Sequence, residues 1–497
     1  MTVSSTSQQL RVGILSSPGL GHIIPALALS NRLATHHNVS VTVFAITFGS
    51  SAAETEILTS ARNSKSINII EIPAVDISNL VDANTKMIAL LCILVRETLP
   101  VVKSVISTEK HILDALIVDV FCPEALPIAK EFGLPNYLFI PTNAWFTALT
   151  IYCPVLDKEI EGEYVDQDEP LQIPGCKPIH PEDVVDPMLD RNDEQYREYL
   201  KVHGAGFGLS DGILMNTWED AETGSLKALR ENEILKALLN NSPIYPIGPL
   251  ITRSQDQEII NESGGDRNFV LNWLDEQTPQ SVLYISFGSG GALSLEQLTE
   301  LAFGLELSEQ KFVWIVRPPS EVVVDYLAVD KEHGDGTPEY LPEGFLTRTK
   351  DFGLVIQMWS DQARILSHPS VGGFLSHCGW NSCIESITNG VPIIAWPLYA
   401  EQRQNATMMT EELGVAVKPK VLPTKKVVER EEIEKLVRLV MQYEEGKDLK
   451  ENVKKLKMSA AKAKSVGGSS HNSMCEVLRD IEKKIHGYKK SMSEETV

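Results

Sequence analysis

Residues 359–402 read WSDQARILSHPSVGGFLSHCGWNSCIESITNGVPIIAWPLYAEQ, and the rest of the chain arranges itself around them. The stretch has the pattern of a β-loop-α-β unit. Val371–Ser376 is a short apolar run of strand character. The next residues turn into a helix that Asn381 and Ser382 are suited to cap. Glu385, three residues after Ser382, completes a capping-box pattern in the first helical turn. Gly390 and Pro392 stop that helix, and PIIAWP at 392–397 is the next buried run. A loop at the carboxyl end of a strand, opening a helix, is where open α/β sheets bind phosphates. The helix N-terminus supplies unpaired N–H groups and the positive end of its dipole.

The side chains of this unit suit a nucleotide-sugar. Trp359 offers a flat face to a base, and Glu385 can accept two hydrogen bonds from a ribose diol. His377, Asn381 and Ser382 are donors for a diphosphate. Trp380, Glu401 and Gln402 carry polar tips suited to sugar hydroxyls. Each residue also has an ordinary reading: a core tryptophan, a capping glutamate, a satisfied core histidine. Their joint spacing is what favours the functional reading.

Outward from this unit, strands alternate with helices twice over. In the first half, apolar strand-like runs lie at Arg11–Ser16, 39–45, 67–72, 115–118, Asn136–Ile140 and 212–216. Helical patterns separate them at 23–33, 85–106 and 125–132, and one follows at 223–230. Residues 241–267 hold Pro243, Pro246, Gly248 and Pro249 and then a polar run, the signature of a linker. The alternation resumes with runs at 282–287, 294–307 and 312–316. The fold class is therefore α/β, with two doubly wound parallel sheets facing across a cleft and ligands at the carboxyl ends of both. The expected division is a first domain over 1–250, a linker over 251–267, a second domain over 268–475 that carries the nucleotide-sugar residues, and a final helix over 476–497.

Bulk properties narrow the partners. A chain of 497 residues can build more than one core. The net charge of −22 argues against nucleic acid and anionic membranes. It also means that an anionic donor must be attracted locally. The seven cysteines are scattered with no CxxC pair, which suits a reducing compartment and neither a disulfide framework nor a zinc site. No signal-peptide pattern opens the chain, and the longest apolar run, 87–95, is too short to span a bilayer. These features predict a cytosolic protein.

Residues 359–402 resemble the signature box of plant family 1 UDP-sugar glycosyltransferases at nearly every signature position. SPGLGHIIP, VDVFCPEA, DPMLDRND and YPIGPL extend the similarity over about 10–485, to the branch that glucosylates small phenols such as hydroquinone and monolignols. Two positions depart from the pattern. Ser360-Asp361 stands where Ala-Pro is usual, and Cys383 replaces a small polar residue. The resemblance implies a GT-B architecture in which the last helix crosses back to the first domain. It implies UDP-glucose as the donor, since Gln402 closes the box and Trp380 occupies the glucose-type position. No cofactor and no metal are expected, and the protein should be a monomer. The donor contacts implied are Gly21, Thr142, Ser289, Trp359, Ser360 through its backbone, Gln362, His377, Gly379, Trp380, Asn381, Ser382, Glu385, Glu401 and Gln402. The acceptor pocket implied holds His22, Phe121, Asn143 and Tyr399.

Glucosyl transfer needs a base for the acceptor hydroxyl. His22 follows the first strand in the loop Pro18-Gly19-Leu20-Gly21, where glycine lets a ligand approach the backbone. With an ordinary pKa of about 6.5 it is mostly neutral near pH 7. Asp119 ends another buried strand and could fix the histidine tautomer and stabilise the imidazolium. Read alone, the two are a loop histidine and a helix cap; the resemblance makes them the catalytic pair. The Gly-rich loop from Ser286 to Gly290 could offer N–H groups and the Ser289 hydroxyl to a phosphate.

Three competing signals are weaker. Gly19-Leu20-Gly21 begins a dinucleotide fingerprint, but Ile24 takes the third glycine's place and no acidic residue ends the second strand, so an NAD oxidoreductase is a poor reading. Asp166-Gln167-Asp168 is a DxD sequence in an acidic loop with no strand before it, which reads as a solvated charge run. A non-catalytic nucleotide-sugar-binding protein would lack the base or its orienter, and both residue types are present.

Overall fold

Two all-parallel sheets form where apolar runs recur between helices. The computed structural model describes residues 9–47, 52–63, 67–82, 84–109, 113–251, 265–320, 338–357, 360–444 and 446–494. The first sheet comprises β1 (Arg11–Ser16), β2 (Ser40–Thr47), β3 (Asn68–Pro73), β4 (Ala115–Asp119), β5 (Asn136–Ile140), β6 (Ile213–Met215) and β7 (Ile244–Pro246), in the order β3-β2-β1-β4-β5-β6-β7. The second comprises β8 (Val282–Ser286), β9 (Lys311–Val316), β10 (Gly353–Gln357), β11 (Val371–Ser376), β12 (Ile393–Ala395) and β13 (Ala416–Val417), in the order β10-β9-β8-β11-β12-β13. Central strands such as β4, β5, β8 and β11 are buried throughout, which is why they read as unbroken apolar runs.

In each sheet the chain winds outward from one strand, returns, and winds the other way. The reversal falls between β1 and β4 in the first sheet and between β8 and β11 in the second. Crevices open at the carboxyl ends of such strand pairs, because the connections on either side lead to opposite faces. The loops after β1, β4, β8 and β11 are the ones expected to carry ligand-binding residues.

The linker signature at 241–267 begins inside the first sheet, whereas the expected linker over 251–267 begins beyond it. β7 lies inside 241–267 and pairs with β6, so this proline-rich stretch still belongs to the first sheet. At the other end, helix Gly265–Asp275 overlaps the same segment. The last helix spans Ser469–Glu494, earlier than 476, and it leans on the first sheet. Met474, Val477 and Ile481 join Val12, Ile14, Tyr137 and Phe139 in one apolar cluster. The Tyr137 hydroxyl donates to Asp480 at 2.6 Å.

Another apolar cluster is continuous across the interface between the sheets. Trp380, Ile384 and Met409 share it with Leu15, Trp145 and Trp218. Among the described residues no helix is long and apolar enough to cross a membrane.

Candidate active site

The N-terminal half of the site is built by adjacent strand ends. β1 and β4 pair with Leu15 opposite Val118, which sets the loop after β1 beside Asp119. Gly19 takes a φ of 101°, open to glycine, and its carbonyl accepts from the N–H groups of His22 and Ile23 at 3.0 Å. That turn starts helix Leu20–His37 and carries His22 to the strand ends. Nδ1 of His22 lies 3.1 Å from Oδ2 of Asp119. The other carboxylate oxygen accepts from the Ser17 hydroxyl at 2.6 Å and from the Phe121 N–H at 3.1 Å.

Asp119 is 1% exposed and the His22 side chain 20%, so the histidine is the member that meets a ligand. Burial pushes the Asp119 carboxyl up, but the charge and hydrogen bonds of His22, Ser17 and Phe121 outweigh it and hold its pKa below the ordinary carboxylate value. Burial pushes His22 down, and Asp119 and then Glu401 pull it back until the net shift is upward. With Nδ1 turned to a carboxylate, the proton sits on Nδ1 and the lone pair on Nε2.

The C-terminal half is built from glycines around His377. A Cβ on Gly288, where φ is 74°, would stand 2.5 Å from His377 Nε2, and a Cβ on Gly379 would stand 2.6 Å from the same atom. The two glycines let the loops after β8 and β11 close on the imidazole. His377 Nδ1 is buried with no hydrogen-bond partner. Burial, and next the positive charge of Arg317, lower its pKa to about 4, so the ring is neutral. Arg317 also donates to the Ser289 carbonyl, which fixes a cation beside the Gly-rich loop.

Both halves line one cleft of about 1240 Å³. Single-ligand pockets run to ~1,000 Å³, so this cleft has room for two ligands side by side. It brings together His22, Gly21, Phe121, Thr142, Ser289, Ser360, Gln362, His377, Gly379, Trp380, Asn381, Ser382, Glu385, Tyr399, Glu401 and Gln402. Trp359 lies outside the described residues. Thr142 presents a buried hydroxyl with no hydrogen-bond partner. The Gln402 side-chain oxygen accepts from the N–H groups of Leu398 and Tyr399 at 3.0 and 3.1 Å, which leaves its amide N–H₂ as the group for a ligand.

Three sequence readings need correction. The helix after β11 is Trp380–Asn389 with Gly379 as N-cap and no side-chain cap. Glu385 therefore stands in the second turn, outside any capping box, and accepts from Gln362 Nε2 at 2.8 Å. Asn143 is fully buried and absent from the cleft lining. It caps helix Ala144–Glu159 by accepting from Phe146 N–H, and it donates to Asn405 Oδ1 at 2.5 Å. The Trp380 indole N–H donates to the Asn216 carbonyl at 2.8 Å, so that donor joins the domains and is not free for a sugar hydroxyl.

Asn381 has a similar second role, donating to the Gly21 carbonyl at 3.3 Å. Asp166 and Asp168 are exposed and do not line the cleft. Among the described residues the side chains spaced to hold a metal ion are His37, His471 and Cys475, none of which lines the cleft. The sequence reading missed Arg317, Tyr199 and His203, all of which do.

Known proteins share this fold. The family model described as UDP-glucoronosyl and UDP-glucosyl transferase matches residues 271–461. The chain is 51% identical over 473 residues to anthocyanidin 3-O-glucosyltransferase 5 of Manihot esculenta, covering 95% of each. It is 41% identical to the hydroquinone glucosyltransferase of Rauvolfia serpentina, covering 95% of this chain and 98% of that one. The crystal structure of TcCGT1 in complex with UDP matches with a TM-score of 0.87 and 46% identity, over 96% of this chain and 100% of that one. The chain thus belongs to the plant UDP-glycosyltransferases and has their GT-B architecture, two α/β domains facing across a shared cleft.

Proposed function

We propose that this enzyme is an inverting, UDP-glucose-dependent glucosyltransferase acting on a hydroxyl of a small phenolic or other aromatic acceptor. The observation that carries the proposal is the 3.1 Å contact of His22 with buried Asp119, at a strand-end crevice opening on the same cleft as the glycine-lined His377 loops. In this reading Nε2 of His22 takes the acceptor O–H proton as the oxygen attacks the anomeric carbon. The bond from that carbon to the diphosphate breaks, and UDP leaves with the electron pair. Asp119 holds the tautomer and offsets the charge of the imidazolium. Attack opposite the leaving group on an α-linked donor gives a β-glucoside.

The departing diphosphate is stabilised by fixed dipoles. The N–H groups opening helix Trp380–Asn389, neutral His377 and the Ser289 loop supply donors without a metal. Gln402 and Glu401 select glucose through its hydroxyls. Cytosolic residence is part of the proposal, supported by seven free cysteines.

Incubation with UDP-glucose and a simple phenol tests the reading. UDP release with a β-anomeric product by NMR, unchanged in excess chelator, is expected. An α-glycoside, or preference for UDP-galactose, overturns the mechanism or the donor choice. Loss in chelator that manganese or magnesium restores overturns the metal-free reading. Tight UDP binding without turnover would instead mark a binding protein.

A further inference from the structure

One ring in the cleft has a hydrogen-bonding capacity that the protein leaves unused. His203 stands on the short π-helical turn Tyr199–Gly204, where the widened backbone pitch turns a side chain inward. It lines the cleft yet is only 2% exposed. Aromatic rings enclose it: Phe121 at 4.8 Å edge-on, Tyr199 at 5.6 Å and Phe207 at 6.0 Å between centroids. The Tyr199 hydroxyl is already committed, donating to Thr150 at 2.8 Å.

His203 Nδ1 is sealed away from the cleft and has no hydrogen-bond partner. Burial drives its pKa down to about 3, so the ring is neutral and carries a single N–H. A buried N–H without an acceptor is the rarer and costlier orphan. The proton therefore belongs on Nε2, the nitrogen that is not sealed in.

Position adds the second half of the argument. Phe121 packs edge-on against His22 at 5.0 Å on one side and against His203 on the other. A flat acceptor lying along Phe121 with one hydroxyl at His22 would extend its far end towards His203.

We infer that His203 forms a polar acceptor subsite, donating through Nε2–H to an oxygen that the acceptor carries away from its reacting hydroxyl. The ligand class is a phenol with a second hydroxyl, ether or carbonyl oxygen across the ring or on a short side chain. The inference rests on the acceptor reading given above. His203 binds and selects; it takes no part in proton transfer.

The test uses two matched acceptors, 4-propylphenol and 4-(3-hydroxypropyl)phenol, with UDP-glucose and with wild type, His203→Phe and His203→Gln. Phenylalanine keeps the ring and removes the donor, and glutamine keeps a donor. His203→Phe should lower kcat/KM for the hydroxylated phenol about tenfold, through KM. 4-Propylphenol should be used unchanged or better, which also verifies the fold. His203→Gln should recover part of the loss. Equal changes for both phenols, or none, would overturn the subsite. Calorimetric titration of both phenols onto UDP-loaded protein separates the two proposals. If wild type turns over neither phenol, the transfer reading falls. A binding preference for the hydroxylated phenol that His203→Phe abolishes would still uphold the subsite, and equal binding would refute it.

Discussion

At the carboxyl ends of β1 and β4 the polar groups satisfy one another, whereas the lining that follows β12 keeps a donor open. Asp119 accepts from His22, Ser17 and Phe121, so the pair is fully wired before any ligand arrives. Gln402, by contrast, commits only its side-chain oxygen and keeps its N–H₂ uncommitted. Proton chemistry gains from groups fixed in advance, because no reorganisation is then needed in the transition state. Donor binding gains from groups left open, because the ligand supplies the missing bonds. The chain's net charge of −22 sharpens the second case. Arg317 and a helix N-terminus provide the local positive field that the overall charge denies.

The largest expected effect breaks the first half alone. His22→Ala should lower turnover ~10²–10⁴-fold on a weakly acidic alcohol, while UDP-glucose binding persists. The raised pKa of His22 fixes the sign of its pH dependence. A base must be unprotonated, so kcat/KM should fall on acidification with a midpoint above the ordinary 6.5, and this limb should vanish in the variant. Asp119→Asn should add little when combined with His22→Ala, since groups acting as a unit lose their effect together. Additive losses would detach Asp119 from the histidine.

The same contrast explains what the sequence could reveal. The C-terminal lining of the cleft was legible because its residues are contiguous and follow one strand-loop-helix rule. His22 and Asp119 are 97 residues apart, and only their places at buried strand ends link them. Asn143 shows the limit of that rule. It also follows a strand, β5, but its side chain is a good N-cap, and the next helix uses it. Glu385 was placed one turn too early because Gly379, not Ser382, opens the helix. His203 carried no signal at all. It lies on an irregular turn after a loop-rich acidic segment, where neither the strand period nor the helical period applies.

A smaller effect probes the second half. Burial, opposed by the Gln362 bond and aided by the charge of Asp361, raises Glu385 to about 7. A ribose diol donates to a carboxylate, so UDP-glucose affinity should climb from pH 6 to pH 8 as Glu385 ionises. The donor's own diphosphate is ionised throughout and contributes no slope. Glu385→Gln should weaken UDP-glucose binding roughly tenfold at pH 8 and flatten the pH dependence. Apo stability should hardly change, since the new amide oxygen can still accept from Gln362. Lowered stability with unchanged donor affinity would leave Glu385 a structural residue.

The smallest effect isolates the departure from the family pattern at Ser360-Asp361. Asp361 caps helix Gln362–Ser367 by accepting from the Arg364 N–H at 3.2 Å. It also lies close enough to Glu385 for its charge to help keep that carboxyl protonated. Asn caps helices as well as Asp does, so Asp361→Asn keeps the cap and removes only the charge. Glu385 should then ionise more easily, and the midpoint of UDP-glucose affinity against pH should move to lower pH. The affinity plateau at pH 8 should stay where it was, because Glu385 is ionised there in both proteins. Near neutral pH the gain should be at most about twofold, because a carboxyl with a pKa of about 7 is already about half ionised there. An unmoved midpoint would mean that solvent screens Asp361 from Glu385. A midpoint moved upward would mean that the carboxyl titrating near 7 is not Glu385.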